Sequence, residues 1–424
     1  VELASRYCKG TIVGILSGDA LVEEASAGAD VTVVLDRTPF YAESGGQVGD
    51  MGLLIVGSAD ENTAVVQDTI KKEGFHLHDV HVTKGTLRVG DDVHASVDAL
   101  RRDAIRRNHT ATHLMHEALK RVLGDHVQQE GSMVAADRLR FDFRHPQGVT
   151  PDEVAQIEAL VNGWIILNDD VQTDVMDLAA AKSSGAVSLF GEKYDDVVRV
   201  LSIDSGSKEL CGGTHCVRTG DIGSFRVTVE TSVAAGIRRI EAVTGTDAVE
   251  LAERDRGIVN NLSAAFKVSP DEVLGRIQAL PDEIKTLKQA AEKAALEAGS
   301  AAAGKLADDA FEVGGLKVLA ASIPGVDAKG LKGVWDTLRK TGVDAAALIG
   351  EATGKAPILV ALTTEAAGQG LSAKDVLQAM TAQLKGGGGG SPMVAQGQGQ
   401  DRRQIDAALE AANALLRSAS GAGA

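Results

Sequence analysis

Two pairs of metal-binding side chains with the same internal spacing are the residues best suited to chemistry. His109 and His113 lie four residues apart, as do Cys211 and His215. On a helix, positions four apart lie one turn above each other, so both imidazoles can reach one ion. Three imidazoles and one thiolate form a donor set typical of tetrahedral zinc. The spacing therefore predicts that Zn²⁺ is bound by both pairs together.

Either pair alone is weak evidence, because a single helical histidine is more often hydrogen-bonded than metal-bound. At about 100° per residue, His109 and His113 project roughly 140–180° from the centre of the helix's apolar stripe, so they do not simply fill the core beneath it. His116 and Cys216 are neighbouring donors without the paired spacing. Four protein ligands are typical of structural zinc, whereas catalytic zinc keeps a position open for water. The sequence leaves open whether the ion is catalytic or positional.

The elements that must position these residues can be predicted from periodicity. Residues 1–100 are β-rich, and apolar residues at helical spacing predict a helix over 103–123. Pro151 begins a second helix, with Thr150 as N-cap and Glu153 completing a capping box. Two strands, Val197–Ile203 and 223–230, are predicted on either side of Cys211. The strands predicted within residues 1–100 are Asp30–Leu35, 63–66 and 93–97.

The pattern changes after residue 245. Residues 246–305 are predicted to be a helical linker, in which Pro270 and Pro281 each start a new helix. Residues 306–424 alternate strands with helices, which predicts a small α/β domain. Glycines predict a loop over 386–399. The remaining predicted elements are strands 316–321, 345–350 and 358–362 and helices 329–341, 373–384 and 401–416.

Composition sets wider limits. A chain of 424 residues favours at least two domains. Its three cysteines make no disulfide framework, and no apolar run reaches the ~20 residues of a membrane span, so the cytoplasm is the expected compartment. A chain that begins at Val1 is expected to be a processed form or a fragment. The net charge of −16 argues against nucleic-acid binding, but local basic stretches offset it, so charge decides nothing.

Longer motifs around the paired residues resemble a known family. Residues 108–114 (NHTATHL) and 211–215 (CGGTH) are similar to the zinc motifs of editing domains in alanyl- and threonyl-tRNA synthetases and their free-standing relatives. Residues 37–50 (RTPFYAESGGQVGD) resemble the segment that opens the alanyl-type domain. Residues 126–132 and 139–143 resemble its next block, and the glycine-rich 386–397 resembles the C-terminal alanyl domain.

The resemblance implies an α+β editing domain: a β-rich subdomain (1–100) and a zinc-binding α/β sandwich (101–245), followed by the helical linker (246–305) and a tRNA-binding α/β domain (306–424). It implies hydrolysis of Ser-tRNA(Ala) and Gly-tRNA(Ala). Thr112 is expected to recognise the serine hydroxyl, with a helix-surface or back-bonded threonine as the alternative, and Gln129 to orient water or the terminal ribose. The residues expected to guide the acceptor stem are Arg101, Arg102, Arg106 and Arg107.

Other interpretations remain open on sequence alone. Zinc could hold together a non-catalytic tRNA-binding module, or the chain could hydrolyse small esters, although HExxH is absent because Thr110 follows His109. A threonyl-type editor is disfavoured by the C-terminal alanyl-like region. No aminoacylation domain is recognised, so alanine activation and ATP use are not expected. A homodimer through the C-terminal half is compatible with the pattern.

Overall fold

The computed structural model of this protein describes residues 5–57, 62–187, 195–204, 206–351 and 354–418. The chain divides into two compact units, Val1–Asn261 and Leu262–Ala424. Both units combine β-sheets with α-helices. Among the described residues, no helix is both long enough and apolar enough to cross a membrane.

A closed antiparallel barrel occupies the N-terminal part of the first unit. Its strands are β1 Tyr7–Ser17, β2 Ala20–Val22, β4 Asp30–Leu35, β5 Gly52–Val56, β6 Asn62–Lys72, β7 Phe75–Lys84 and β9 Asp92–Val97, with β3 Glu24–Ser26 and β8 Thr86–Arg88 paired separately. The order is β2-β1-β4-β7-β6-β5-β9, and β9 also pairs with β1, which closes the ring. The strand predicted at Asp30–Leu35 is confirmed. Those predicted at 63–66 and 93–97 lie inside β6 and β9.

Two long helices follow the barrel. Helix α1 spans Ala99–Leu123 and starts four residues before the predicted 103, because Asp98 caps it by accepting a hydrogen bond from the Arg101 backbone. Helix α2 spans Pro151–Leu167 and has the predicted capping box between Thr150 and Glu153. Leu114 and Met115 of α1 are fully buried with Phe141 and Phe143 in one core, so α1 is held rigidly along its length.

Two small antiparallel sheets complete the first unit. The strands are β10 Gln129–Val134, β11 Leu139–Arg144, β12 Val171–Asp177, β13 Val197–Ile203, β14 Lys208–Leu210, β15 Phe225–Ala234 and β16 Ile237–Thr244. One sheet has the order β10-β11-β16-β15 and the other β12-β13-β14. The predicted strand Val197–Ile203 is confirmed, and the one predicted at 223–230 begins two residues later and is longer. The Cys211–His215 segment thus leaves directly from the end of β14.

Three further helices precede the C-terminal sheet: α3 Leu178–Ser183, α4 Gly245–Phe266 and α5 Val273–Leu306. A 3-10 turn at Pro270–Glu272, capped by Ser269, leads into α5, in agreement with the prediction for Pro270. The prediction that Pro281 starts a helix is wrong, because α5 runs through it. Good helix formers such as Leu280, Glu283 and Lys285 flank this proline, and their propensity favours a continuous helix despite one lost hydrogen bond.

The second unit is built on one mixed sheet. Its strands are β17 Phe311–Val313, β18 Leu316–Pro324, β19 Ala345–Glu351, β20 Ala356–Leu362, β21 Gly387–Gly390 and β22 Val394–Gly399, and its helices are α6 Ala328–Lys340, α7 Thr364–Gly368, α8 Ala373–Gln383 and α9 Ile405–Arg417. The order is β17-β18-β19-β20-β22-β21, with β18 and β19 parallel. Apolar cores lie on both faces, which explains the nearly continuous apolar sequences of β19 and β20.

The glycine-rich segment departs from its prediction as a loop. Gly387–Gly390 forms edge strand β21, paired with β22. A Cβ atom at Gly388 would lie 2.4 Å from the carbonyl oxygen of Gln396, and one at Gly386 would lie 2.1 Å from that of Gln398. Glycine is therefore required at positions 386 and 388 by a close approach of two backbones, a role that glycine also has inside strands.

Candidate metal centre and its pocket

The four residues predicted as metal ligands meet at one place in the first unit. His109 and His113 lie on α1, with their rings stacked at 5.2 Å, and both are 6% exposed. Sγ of Cys211 lies 3.3 Å from Nε2 of His109 and 3.2 Å from Nε2 of His215. One donor atom from each residue lies within 4.8 Å of all the others.

The Cys211–His215 turn can approach α1 this closely because of its glycines. A Cβ atom at Gly213 would lie 2.2 Å from Cε1 of His109, so any larger residue would push the turn away. Arg199 holds the turn from the other side by donating to the Gly213 carbonyl oxygen at 2.7 Å. The sequence thus places the cysteine and the third histidine against the helical pair by local packing.

The donor set fits a zinc ion. Tetrahedral zinc bonds of ~2.0–2.3 Å separate neighbouring donor atoms by roughly 3.3–3.7 Å, close to the sulfur–nitrogen distances found here. Within the described part of the chain, Nε2 of His113 is buried without a hydrogen-bond partner. Such a nitrogen is costly unless another ligand satisfies it. A shared cation would satisfy Nε2 together with the other three donors.

The electrostatics of the cluster favour the metal-binding forms of Cys211 and His215 but not that of His113. Burial raises the pKa of the Cys211 thiol, but the imidazoles of His109, His215 and His113 outweigh burial and hold this pKa well below its ordinary value. Burial lowers the pKa of His215 to about 3. For His113 burial also lowers the pKa, but Glu209 and Cys211 together outweigh burial and raise the pKa to about 10. Metal would therefore displace a proton mainly from His113.

A small pocket of about 100 Å³ opens beside the cluster. Three of the four predicted ligands line it, and His215 does not. The loop 41–50 forms one wall through Tyr41, Ser44 and Gly45, and β10 contributes Gln129 and Ser132. Its size is well below the ~300–1,000 Å³ of sites for drug-sized ligands, so it suits a small group.

Thr112 and Gln129, both predicted as site residues, line this pocket. The hydroxyl of Thr112 donates to the carbonyl oxygen of Asn108 at 2.8 Å, the back-bonded arrangement expected as the alternative to recognition. Its oxygen can still accept a hydrogen bond. Nε2 of Gln129 donates to Oγ of Ser132 at 3.3 Å, and the side chain is half-buried.

The arginines predicted to contact tRNA differ in their environments. Arg102 is fully buried and donates to both carboxylate oxygens of Asp50, at 2.9 and 2.8 Å. Its inclusion among the tRNA contacts is therefore corrected, because a guanidinium committed to a buried ion pair cannot reach a phosphate. Arg101 is half-buried and donates to the Gly49 carbonyl oxygen at 2.7 Å, and Arg106 and Arg107 are half-buried on the same helix.

Two buried residues around the ligands were not predicted from the sequence. The carboxylate of Glu209 lies 2.9 Å from Nδ1 of His113 and 3.2 Å from Nδ1 of His116. Oε1 of Gln47 lies 2.7 Å from Nδ1 of His109. Glu209 precedes Cys211 by two residues and Gln47 lies inside the 37–50 motif, so both stood beside a recognised signal. Neither has a spacing that indicates a contact with a histidine.

Comparison with known proteins places this arrangement in a family. Over 413 residues the chain is 45% identical to the probable chloroplastic/mitochondrial alanine–tRNA ligase of Ostreococcus tauri, covering 96% of this chain and 42% of that protein. It is 44% identical to the alanine–tRNA ligase of Myxococcus xanthus (96% and 46% covered) and 43% identical to that of Ruegeria sp. (96% and 47%). The chain belongs to the alanine–tRNA ligase family. It spans less than half the length of these relatives.

Family models assign parts of this alanine–tRNA ligase segment. Residues 2–101 match the class II (A) tRNA synthetases, 198–241 match the second additional domain of threonyl and alanyl tRNA synthetases, and 315–418 match the DHHA1 domain. The second match contains Cys211 and His215. Among solved structures, the C-Ala domain of the Aquifex aeolicus alanyl-tRNA synthetase is 25% identical, with a TM-score of 0.24, and covers 26% of this chain and 97% of that one.

Proposed function

We propose that this chain is the editing deacylase of an alanine–tRNA ligase and hydrolyses Ser-tRNA(Ala) and Gly-tRNA(Ala). The observation that carries the proposal is the small pocket bordered by three of the predicted ligands together with Thr112 and Gln129. Family membership supports tRNA(Ala) as the nucleic acid. The match to the additional domain shared with threonyl enzymes supports the assignment of the site to editing.

Zinc is the proposed cofactor, held by His109, His113, Cys211 and His215. When bound, Zn²⁺ would supply a Lewis acid beside the ester of the mischarged amino acid. The cysteine and histidines at the edge of the pocket would hold it there, with His215 behind them.

Selectivity is proposed to come from the residues of the pocket. The aminoacylation step cannot reject glycine strongly, since one missing methyl group is worth only ~1–3 kcal/mol, and an apolar pocket rejects an added hydroxyl poorly. The oxygen of Thr112 already donates its hydrogen to Asn108, so it would accept a hydrogen bond from the serine hydroxyl. The amide of Gln129 would orient a water molecule or the terminal ribose.

The tRNA is proposed to contact arginines of α1 and the C-terminal domain. Arg101, Arg106 and Arg107 lie on the helix that carries the histidine pair and would approach the acceptor-stem phosphates. The proposed division is a β-rich subdomain (1–100), the zinc-containing editing region (101–245), a helical linker (246–305) and a tRNA-binding domain (306–424). A cytoplasmic location and a homodimer through the C-terminal half belong to the same proposal.

The test is deacylation of Ser-tRNA(Ala), with Ala-tRNA(Ala) as the control substrate. We expect the chain to release serine but not alanine. Cys211→Ala should lower the rate of serine release by at least about 100-fold, because it removes one of the four proposed zinc ligands. Circular dichroism would establish that the variant is folded. The paired control is Cys8→Ala, since Cys8 is buried in the barrel and should leave the rate unchanged.

Two results would contradict the proposal. If the intact chain binds zinc and tRNA(Ala) but releases neither amino acid, a non-catalytic tRNA-binding module is the better description. Hydrolysis of simple amino-acid esters at the same rate as Ser-tRNA(Ala) would instead indicate a small-ester hydrolase.

A further inference from the structure

The amide of Gln47 joins three separate segments at the edge of the candidate metal centre. Its side chain is fully buried. Oε1 accepts from the backbone N–H of Thr214 at 2.9 Å and lies 2.7 Å from Nδ1 of His109. Nε2 donates to Oγ1 of Thr214 at 3.0 Å. Gln47 thus connects the 41–50 loop to α1 and to the Cys211–His215 turn.

These contacts determine which nitrogen of His109 carries hydrogen. A backbone N–H can only donate, so the atom of the Gln47 amide that faces the Thr214 N–H must be the oxygen and not the nitrogen. The same oxygen contacts Nδ1 of His109 and can only accept, so Nδ1 must carry a hydrogen. In the neutral ring Nε2 then has the free lone pair, and Nε2 is the atom 3.3 Å from Sγ of Cys211.

Oxygen atoms also lie near Nδ1 of the other two imidazoles. Nδ1 of His113 lies 2.9 Å from Glu209, and Nδ1 of His215 lies 3.4 Å from Oγ1 of Thr110. The Thr110 hydroxyl donates its own hydrogen to the Arg106 carbonyl oxygen, so it faces His215 as an acceptor. Of the three acceptors, Gln47 belongs to the loop that forms a wall of the pocket.

We propose that Gln47 is a positioning residue that fixes His109 as a metal ligand and ties the pocket wall to the ligand set. The inference rests on the proposed zinc site. Contacts of this kind orient the ring and raise its basicity, and their loss typically weakens metal binding by about 10–100-fold. The 41–50 loop would lose its contact with His109 at the same time, while Arg102 and Asp50 would still hold its end against α1.

A purely structural role for Gln47 and a positioning role predict opposite rankings of two variants by zinc affinity. Gln47→Met fills a similar volume but offers Nδ1 of His109 no acceptor of comparable strength. Gln47→Glu keeps an acceptor and places a carboxylate in a buried site. If Gln47 only packs, methionine should be tolerated and the buried charge should be harmful. If Gln47 positions His109, the Glu variant should keep the metal affinity and the Met variant should lose it.

The experiment measures zinc affinity of the full chain by competition with a chromogenic chelator. We expect Gln47→Met to bind zinc about 10–100-fold more weakly, and Gln47→Glu to remain close to the unmodified chain. Gln172→Met, an exposed glutamine on β12, is the matched control. In parallel, ¹⁵N NMR of the histidine rings in the metal-free chain reports the tautomer of His109. We expect the hydrogen on Nδ1 in the unmodified chain and a change of tautomer in Gln47→Met.

The outcomes separate this inference from the proposed function. Equal zinc affinity and an unchanged His109 tautomer in Gln47→Met would overturn the role of Gln47. Absence of zinc binding by the unmodified chain would overturn the metal proposal, while the tautomer in metal-free protein would still decide on Gln47. Should Gln47→Met fail to fold, the Glu variant decides alone, since loss of zinc affinity there would contradict the inference.

Discussion

At the scale of single residues, the proposed function requires the pocket to treat serine and glycine differently from alanine. The Thr112 hydroxyl is already bonded to Asn108, so only its accepting side is available. Under the proposed function a serine hydroxyl satisfies that oxygen, whereas the methyl group of alanine would cover it without a hydrogen bond. An unsatisfied buried acceptor costs about 1–3 kcal/mol, a factor of roughly 5–150 in rate. Glycine has no side chain to cover the oxygen, so water can satisfy it.

A second residue, His78 in the barrel, makes the stability of the first unit depend on pH. Its ring is fully buried between the Thr38 hydroxyl at 2.8 Å and the Val33 carbonyl oxygen at 2.9 Å. Burial lowers the pKa of His78 to about 4, whereas an unfolded histidine titrates near ~6.5. Between these values the unfolded state binds a proton that the folded state excludes. The free energy of unfolding should therefore fall as pH decreases from about 6.5 to 4.

The prediction is tested with His78→Gln, by urea unfolding at several pH values. Near pH 5 the free energy of unfolding of the unmodified chain should fall by up to about 1.4 kcal/mol more per pH unit than that of the variant. The reason is that the variant has no histidine at position 78 to take up a proton on unfolding. Above pH 7 the two dependences should run parallel. Since the metal-site histidines are present in both proteins, the difference isolates His78. Parallel curves throughout the acid range would show that His78 does not control this dependence.

The cluster of candidate ligands could be predicted because the evidence for each pair is local, whereas the residues that support the cluster could not. A spacing of four places His109 and His113 on one helical face whatever the rest of the fold does. Gln47 lies 62 residues from its histidine, and Glu209 lies 93 from His116. Such pairings depend on how the barrel and the β14 turn pack against α1, which no periodicity encodes. The burial of Arg102 was missed for the same reason, since its partner Asp50 belongs to a distant loop.

At the scale of elements, capping signals were more informative than glycine or proline alone. Thr150 and Glu153 fix the start of α2 because the side chain of each accepts a hydrogen bond from the backbone N–H of the other. The glycine run at 386–390 was predicted as a loop, since glycine is disfavoured in strands by its backbone entropy. Pairing with β22 overrides that preference, because only a strand without side chains can approach it so closely.

Replacement by alanine should therefore affect stability differently at two neighbouring glycines of β21. Gly388→Ala should destabilise the second unit by about 1–3 kcal/mol, because its Cβ would meet the Gln396 carbonyl oxygen. Gly389 has no heavy atom within 4 Å of its Cβ position, so Gly389→Ala should change stability by less than about 1 kcal/mol. Trp335, in the core of this unit, can report both unfolding midpoints by fluorescence. Equal effects of the two variants would contradict the close packing of β21.

At the scale of the whole molecule, the division into two units shows which part of the chain contains the candidate site. The net charge of −16 gives no such information. All four candidate ligands belong to the first unit. The two tryptophans fall one in each unit, Trp164 in α2 and Trp335 in α6. Each unit can therefore be followed separately in the intact chain after the other tryptophan is replaced by phenylalanine.

Removal of zinc should destabilise the first unit and leave the second unchanged. An ion present at about 1,000 times its dissociation constant contributes roughly 4 kcal/mol, which corresponds to about 10 °C in the unfolding midpoint of a unit of this size. With Trp335→Phe, a chelator should therefore lower the midpoint seen at Trp164, whereas with Trp164→Phe the midpoint seen at Trp335 should stay constant. Adding Cys211→Ala to the first variant should abolish the response to chelator, because a ligand is already missing. A midpoint at Trp164 that does not change with the chelator would mean that the four donors do not hold a stabilising ion. A midpoint at Trp335 that falls with the chelator would mean that the second unit does not unfold independently of the first.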